Sequence, residues 1–307
     1  MKQLSGYQHS LYANSLAEFG TPLRLPNSQG SILVQSIGST SMEDAVGCYP
    51  LFTCLDWSKL LQDLETLDND LVCVSMVLDP FGNYDKEYLR ECFPDLVLPF
   101  KKHFVIDCNC SQPIEKIVSK HHRYYVRKAL KEISVDVCDD PIGFLDDWDQ
   151  LYSNLVLHHQ VKGIKAFSTA AFRTQFSVPG LVIFRAFDDQ EAVAAHMWYV
   201  QDRIAYSHLA ASSPKGYDLM ASYGLYWSAI EYFKDKQIDW IHIGAGAGIK
   251  DNSDDGLTRF KKGWSTGTRD AYFCGRVLEH QMYQNLISKT GTQNSDYFPQ
   301  YRASNLG

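Results

Sequence analysis

Three short apolar runs, 192–200 (AVAAHMWYV), 203–210 (RIAYSHLA) and 238–243, each hold one histidine: His196, His208 and His242. Imidazole has the ordinary pKa closest to neutral, so a histidine that faces a cleft from a strand serves as acid or base. His208 is the first candidate and His196 the second, because His208 lies just ahead of Ser212-Ser213-Pro214-Lys215-Gly216-Tyr217. That segment joins a strand-like run to a helical one. A loop opening onto a helix offers unpaired N–H groups and the positive end of the helix dipole to an anion. Gly216 permits close approach and Lys215 adds a cation, so Ser212, Ser213, Lys215, Gly216 and Tyr217 form a candidate phosphate-binding mouth. A glycine run, Gly244-Ala-Gly246-Ala-Gly248, follows the third strand. Ile249 stands where a dinucleotide fingerprint needs its third glycine, and Lys250 to Gly256 has loop composition, so the run reads as a strand exit beside a cleft.

The chain that carries these groups has 307 residues, 45% hydrophobic and 21% charged, enough for about two domains with cores of their own. Its formal charge of −7 excludes a generally basic nucleic-acid binder; a polyanion must meet a local patch. The longest apolar run, Leu71 to Leu78, is far short of a membrane span, and the first residues lack a signal pattern. A soluble cytoplasmic protein is expected. Eight cysteines with no C-x-x-C pair fit reduced thiols, and Cys108-Asn-Cys110 lacks a partner motif, so no metal is assigned.

The elements follow from periodicity. Residues 31–37, 48–54, 71–78 and 103–108 read as strands, with helices at 56–67 and 84–92 between them. From 112 to 133 the apolar period becomes helical, and Lys116, Lys120, Arg123, Arg127 and Lys131 recur three or four apart as one basic stripe. Such a stripe holds phosphate groups, or pairs with the Asp-rich segment 136–149 that follows. After a helix near 144–160, strands at 180–187, 192–200 and 203–210 form a meander, followed by a long helix from about 217 to 235 and a strand at 238–243. The resulting architecture is α+β, with two tandem lobes: 1–135, ending in the basic linker helix, and 136–307, carrying the 212–217 candidate anion-binding mouth. Each is a mixed sheet flanked by helices.

Several stretches carry a resemblance: the strand Ala205-Tyr-Ser-His208-Leu-Ala-Ala, Gly216-Tyr-Asp with its helix through Trp227, Asp255-Gly-Leu-Thr-Arg-Phe260-Lys261-Lys-Gly263-Trp264, and the basic helix 120–131. Together they resemble the GNAT N-acyltransferase superfamily, in particular its double-lobed Fem-type (FemABX-like) branch, over about two thirds of the chain. The resemblance implies transfer of an activated acyl group to an amine, with acyl-CoA (acetyl-CoA) or aminoacyl-tRNA as donor. The family's coenzyme loop, Arg/Gln-x-x-Gly-x-Gly/Ala, is kept here only at Gly216, with Ser213 at its first position and Asp218 at its last. The acidic charge balance makes the acyl thioester the preferred donor, and the degenerate loop keeps aminoacyl-tRNA close behind as the alternative. A catalytically silent anion-binding protein is the alternative of another class. The resemblance places Lys261 in the active site, to stabilise an oxyanion or a phosphate, with Asp255 to orient it. Phe260 and Trp264 are expected at the substrate, and Arg123 and Arg127 at a phosphorylated acceptor or the nucleic-acid part of the donor, with tRNA held through the 116–131 helix.

Overall fold

A computed structural model describes residues 4–38, 40–67, 71–110, 112–159, 166–247 and 255–306. The strands are β1 Thr21–Arg24, β2 Ser31–Ser36, β3 Glu43–Gly47, β4 Leu71–Val77, β5 Leu96–Asp107, β6 Ser134–Val137, β7 Leu181–Asp188, β8 Glu191–Gln201, β9 Ile204–Ser212, β10 Trp240–Gly244 and β11 Gly267–Val277. The α-helices are α1 Ser10–Asn14, α2 Leu60–Glu65, α3 Lys86–Cys92, α4 Ile114–Ile117, α5 Lys120–Glu132, α6 Leu145–His159, α7 Thr169–Gln175, α8 Pro214–Asp218, α9 Ala221–Asp235, α10 Gly256–Lys262 and α11 His280–Thr290. The chain divides into two compact units, one of residues 1–11 with 101–269 and one of residues 12–100 with 270–307. Residues 135 and 136, either side of the boundary expected from the sequence, both lie on β6 of the first unit.

In the first unit the strand order is β5-β10-β9-β8-β7-β6. Strands β7 to β9 are the expected antiparallel meander, and β6, not expected from the sequence, pairs antiparallel with β7. Its β8–β9 turn places Asp202 and Arg203 at φ 50° and 61°, the pair of positive values that a tight primed hairpin turn requires. β10 then pairs parallel to β9, which requires a crossover, supplied by α8 and α9. β8 is buried along most of its length because both faces are covered, and this explains its nearly unbroken apolar run. On one face Ala194 and Trp198 meet Leu225, Tyr226, Ala229, Ile230 and Phe233 of α9. On the other, Tyr199 donates to Gln175 O of α7 and its ring packs on Tyr7. Helix α5 lies on α9 at Gly224, where a side-chain carbon would stand 3.1 Å from Ile133 Cδ1 and 3.2 Å from Leu130 Cδ2.

The expected continuous helix over 112–133 is two helices. Val118 leaves the helical conformation and Ser119 caps α5 by accepting from His122 N, so Lys116 belongs to a separate turn and the basic stripe begins at Lys120. The expected long helix from 217 is also two: Met220, at φ 58°, separates the five-residue α8 from α9.

The second unit has the order β1-β2-β3-β4-β11, with β3 and β4 parallel and the other pairs antiparallel. Ile32, Phe52, Trp57, Leu60, Val74, Met76, Leu89 and Phe93 form its core. The strand expected at 48–54 is instead β3, five residues earlier. Cys48 to Cys54 are apolar because they are buried, not because they pair: Pro50 has no N–H to give, and Phe52 alone makes a bridge, to Leu78. The C-terminal segment is held by Asp44, whose 1%-exposed carboxylate accepts from Arg302 Nε and Nη2 at 2.7 and 2.6 Å and from Tyr301 Oη at 2.7 Å. Removing one member of a buried pair leaves the other charge uncompensated, so Asp44→Ala is expected to lower unfolding free energy by about 3–5 kcal/mol in urea denaturation.

Candidate active site

β10 is paired to β9 over three residues only, Trp240, Ile241 and His242 with Ile204, Ala205 and Tyr206. Beyond that point β9 continues to Ser212, while Gly244, at φ +74°, turns β10 away. Two parallel strands that part at their carboxyl ends leave a crevice, the usual place for a ligand in a sheet of this kind. A bulge opens β9 further: Trp198 pairs with Ser207 and Met197 with Leu209, so His208 is the extra residue.

Lys261 reaches this crevice from α10. The helix begins at Asp255, whose side chain accepts from Thr258 N at 2.9 Å and from Thr258 Oγ1. The Phe260-Lys261-Lys262 element is thus helical. His122 of α5 anchors it: its Nε2 donates to Phe260 O at 2.8 Å, so its Nδ1 is left to accept from Ser119 Oγ at 2.9 Å. Ser119 N also donates to Gly263 O at 2.9 Å, and a side-chain carbon at Gly263 would fall 2.1 Å from the His122 ring. Phe260 and Trp264 are locked among His122, Tyr223 and Tyr226 at ring distances of 5.0–6.1 Å. They pack the helix down, while Lys261 points the other way: its Nζ donates to Ala245 O at 2.7 Å. Glycine at 244 is favoured by its backbone conformation, and a side-chain carbon there would press on that nitrogen from 3.1 Å.

Two residues beside Lys261 were not selected from the sequence. Lys101 on β5, 7% exposed, donates to Gly246 O at 3.0 Å and Ala247 O at 3.2 Å. His103 on the same strand shares a 2.7 Å hydrogen bond between its Nδ1 and His242 Nε2. Their signal was the alternation Lys101, His103, Val105, legible only once β5 is seen to start at Leu96. Desolvation, reinforced by the nearby Lys261 and Lys101 charges, pushes His103 down to about 3. Desolvation with the His103 and Lys261 charges lowers His242 as well. Burial, with the Lys101 charge added and the Asp255 charge opposing, lowers Lys261 to about 8.

The histidines chosen from the sequence occupy different faces. His196 is buried on the α9 side, where its Nε2 is 2.8 Å from Ser207 Oγ and its ring lies 4.8 Å from Tyr226. Burial and the Lys261 charge push it down to about 3. His208 is on the opposite face. Its Nδ1 is 3.1 Å from Tyr7 Oη and its Nε2 3.2 Å from Gln175 Oε1, so both ring nitrogens are engaged, and burial takes it to about 3. Asp255 touches Lys261 through its charge and uses its oxygens on Thr258.

The 212–217 segment closes on itself. Ser213 Oγ accepts from Gly216 N at 3.1 Å, and Lys215 Nζ is paired with Asp188 at 2.6 Å and Glu191 at 3.1 Å. A side-chain carbon at Gly216 would meet Val193 O at 2.2 Å, so its glycine serves close packing of backbone on backbone. Ser212 is buried and Tyr217 is 42% exposed. Arg123 and Arg127 line a groove of about 390 Å³ with Glu115, Val126, Leu130 and Trp227, a set that does not include Lys261. Of the glycine run, Gly248 and the following loop to Asp254 lie outside the described residues. Among the described residues no group of three or more His, Cys, Asp or Glu side chains is placed to hold a metal ion, and no helix is long and apolar enough to cross a membrane. Gly216→Ala is expected to lower stability by about 1–3 kcal/mol through overpacking against Val193, read by thermal or urea unfolding.

Residues 118–262 match the acetyltransferase (GNAT) domain model, a span that takes in α5, the meander, the diverging strands and Lys261. The crystal structure of FemX has 13% identity and a TM-score of 0.65, covering 92% of this chain and 94% of its own. The structure of L-PGS from Bacillus licheniformis has 13% identity and a TM-score of 0.62, covering 99% of both. No match was found among curated protein sequences. Over residues 118–262 the chain is thus similar to acetyltransferase (GNAT) domains, and it shares the mixed α+β fold of FemX and L-PGS.

Proposed function

We propose that the crevice where β9 and β10 part transfers an activated acyl group onto a primary amine, with the Lys261 ammonium facing the acyl carbonyl. The observation that supports this most is the position of Lys261, held by Ala245 O at the carboxyl end of β10. An ammonium has three donors and Ala245 takes one. When the amine attacks, the carbonyl oxygen gains negative charge, and a fixed donor at that oxygen is worth about 3 kcal/mol of barrier. His196, His103 and His242 are neutral at pH 7, so they leave the positive charge of Lys261 uncontested by further cations of their own. His208, with both nitrogens engaged, holds Tyr7 and α7 to β9 and takes no proton in this reading.

For the donor, the closed 212–217 segment argues for an aminoacyl ester of tRNA over a coenzyme A thioester. Asp188 and Glu191 neutralise Lys215, and α8 is too short to present a developed dipole to a pyrophosphate. Arg123 and Arg127 are the cations that α5 offers to a phosphate backbone. The acyl-CoA reading is favoured by one observation, the match of 118–262 to an acetyltransferase domain. Two measurements separate them. Retention of aminoacyl-tRNA that weakens steeply between 50 and about 200 mM salt, with no thermal shift from acetyl-CoA, supports the first. A saturable shift with acetyl-CoA and no tRNA retention supports the second. Neither response, with retention of simple anions alone, leaves the silent binder.

Lys261→Met is expected to reduce transfer more than tenfold without unfolding the protein, whereas Lys261→Arg keeps part of the rate. Near-normal transfer in Lys261→Met contradicts the role. The pH dependence has a definite sign. Below about pH 8 Lys261 is an ammonium and above it an amine, so kcat falls as pH rises through about 8. The arginine variant, charged throughout, loses this alkaline limb.

A further inference from the structure

We propose that Lys101 is the positioning residue for Lys261: the two lysines grip successive carbonyls of one turn, 245 by Lys261 and 246 and 247 by Lys101, and so fix their ammonium groups side by side at the end of β10. This deepens the reading of Lys261 as the group facing the acyl carbonyl and rests on it.

The argument starts from the turn. Gly244 leaves the strand at φ +74°, and the carbonyls that follow, out of the sheet ladder, must find donors elsewhere. Here both donors are charged side chains, one from β5 and one from α10. Charge-assisted hydrogen bonds are the stronger kind, so the turn is pinned from two elements at once. Lys101 is placed for this by its strand: β5 pairs with β10 through Asp107↔Trp240, Ile106↔Ile241 and Val105↔His242, and the next positions on that face are His103 and then Lys101, level with the turn.

Burial makes the arrangement electrostatic as well as geometric. The titratable groups facing Lys261 are Lys101 and His103 from β5, His242 from β10, His196 from β8 and Asp255 from its own helix. The three histidines are neutral at pH 7, so the charges are Lys101, which repels the Lys261 ammonium, and Asp255, which favours it. A lysine with its ammonium destabilised binds its last proton less tightly and presents a more weakly solvated cation to an oxyanion. Lys101 touches no reacting atom in this account; it acts through Lys261.

The test is the titration of Lys261 itself, without any donor. Protein with 13C,15N-labelled lysine is followed by correlation of side-chain Cε and Nζ signals between pH 6 and 11, with Lys261 assigned by loss of its signal in Lys261→Arg. Wild-type Lys261 is expected to titrate near 8. Lys101→Met and Lys101→Gln are expected to move that midpoint up by about one pH unit, since desolvation remains. Lys101→Gln keeps donors for the carbonyls and stands in where the methionine variant does not fold. Lys101→Arg, which keeps the charge, leaves the midpoint near its wild-type position. An unmoved Lys261 midpoint in the uncharged variants overturns the inference, as does a wild-type midpoint at the ordinary lysine value of about 10.4. Because no acyl donor enters the experiment, absence of transfer activity leaves this result intact, and the two readings fail separately.

Discussion

A single ammonium group, carried by Lys261 and held against a backbone carbonyl where two parallel strands separate, is the interaction on which the rest of the first unit depends. Everything that fixes its position is expensive to alter. The strand separation needs a three-residue register between β9 and β10, a bulge at His208 and a left-handed glycine at 244. The helix that delivers the lysine is fastened to α5 by His122 and to α9 by a cluster of aromatic rings. Side chains that would otherwise count as substrate contacts, Phe260 and Trp264, are better understood as the clamp that keeps the helix from turning.

The local electrostatics run in opposite directions at the two ends of the donor half. Around Lys261, imidazoles deprived of water are neutral, and a cation stands among groups that do not cancel it. Around Lys215, two carboxylates cancel the charge and Ser213 satisfies the N–H that an anion would have taken. The same glycine that suggests a phosphate loop, Gly216, is present because Val193 O leaves no room for a side chain. In the proposed reading the β10 end is the one left with an uncancelled cation, and the 212–217 end offers no free donor to a pyrophosphate.

Much of the fold was legible because its periodicities are strong. The meander, the tight turn after Gln201, β2, β4 and α9 follow from alternation and helical spacing that burial then confirms. The failures have separate physical causes. A buried irregular segment, Cys48 to Cys54, has the composition of a strand, while β3, carrying Glu43 and Asp44, does not. Single residues, Ser119 and Met220, break helices whose apolar period continues through them. At the candidate site, Lys261 was singled out by the resemblance of the Phe-Lys element. Lys101 and His103 were not, because a lysine-lysine-histidine run reads as solvated surface until the strand pairing shows which alternate residues turn inward. His208 was selected for its adjacency to a loop, and that adjacency says nothing about the bulge and the Tyr7 and Gln175 contacts that engage its ring.

The central claim is that Lys261, where β9 and β10 part, has an amine made unusually acidic by its surroundings, while its neighbour Lys262 is exposed. Competitive trace acetylation at pH 8, with the two lysines quantified by peptide mass spectrometry in the same sample, tests this most directly. The account predicts that Lys261 is acetylated several-fold faster than Lys262. Equal or slower modification of Lys261 contradicts it.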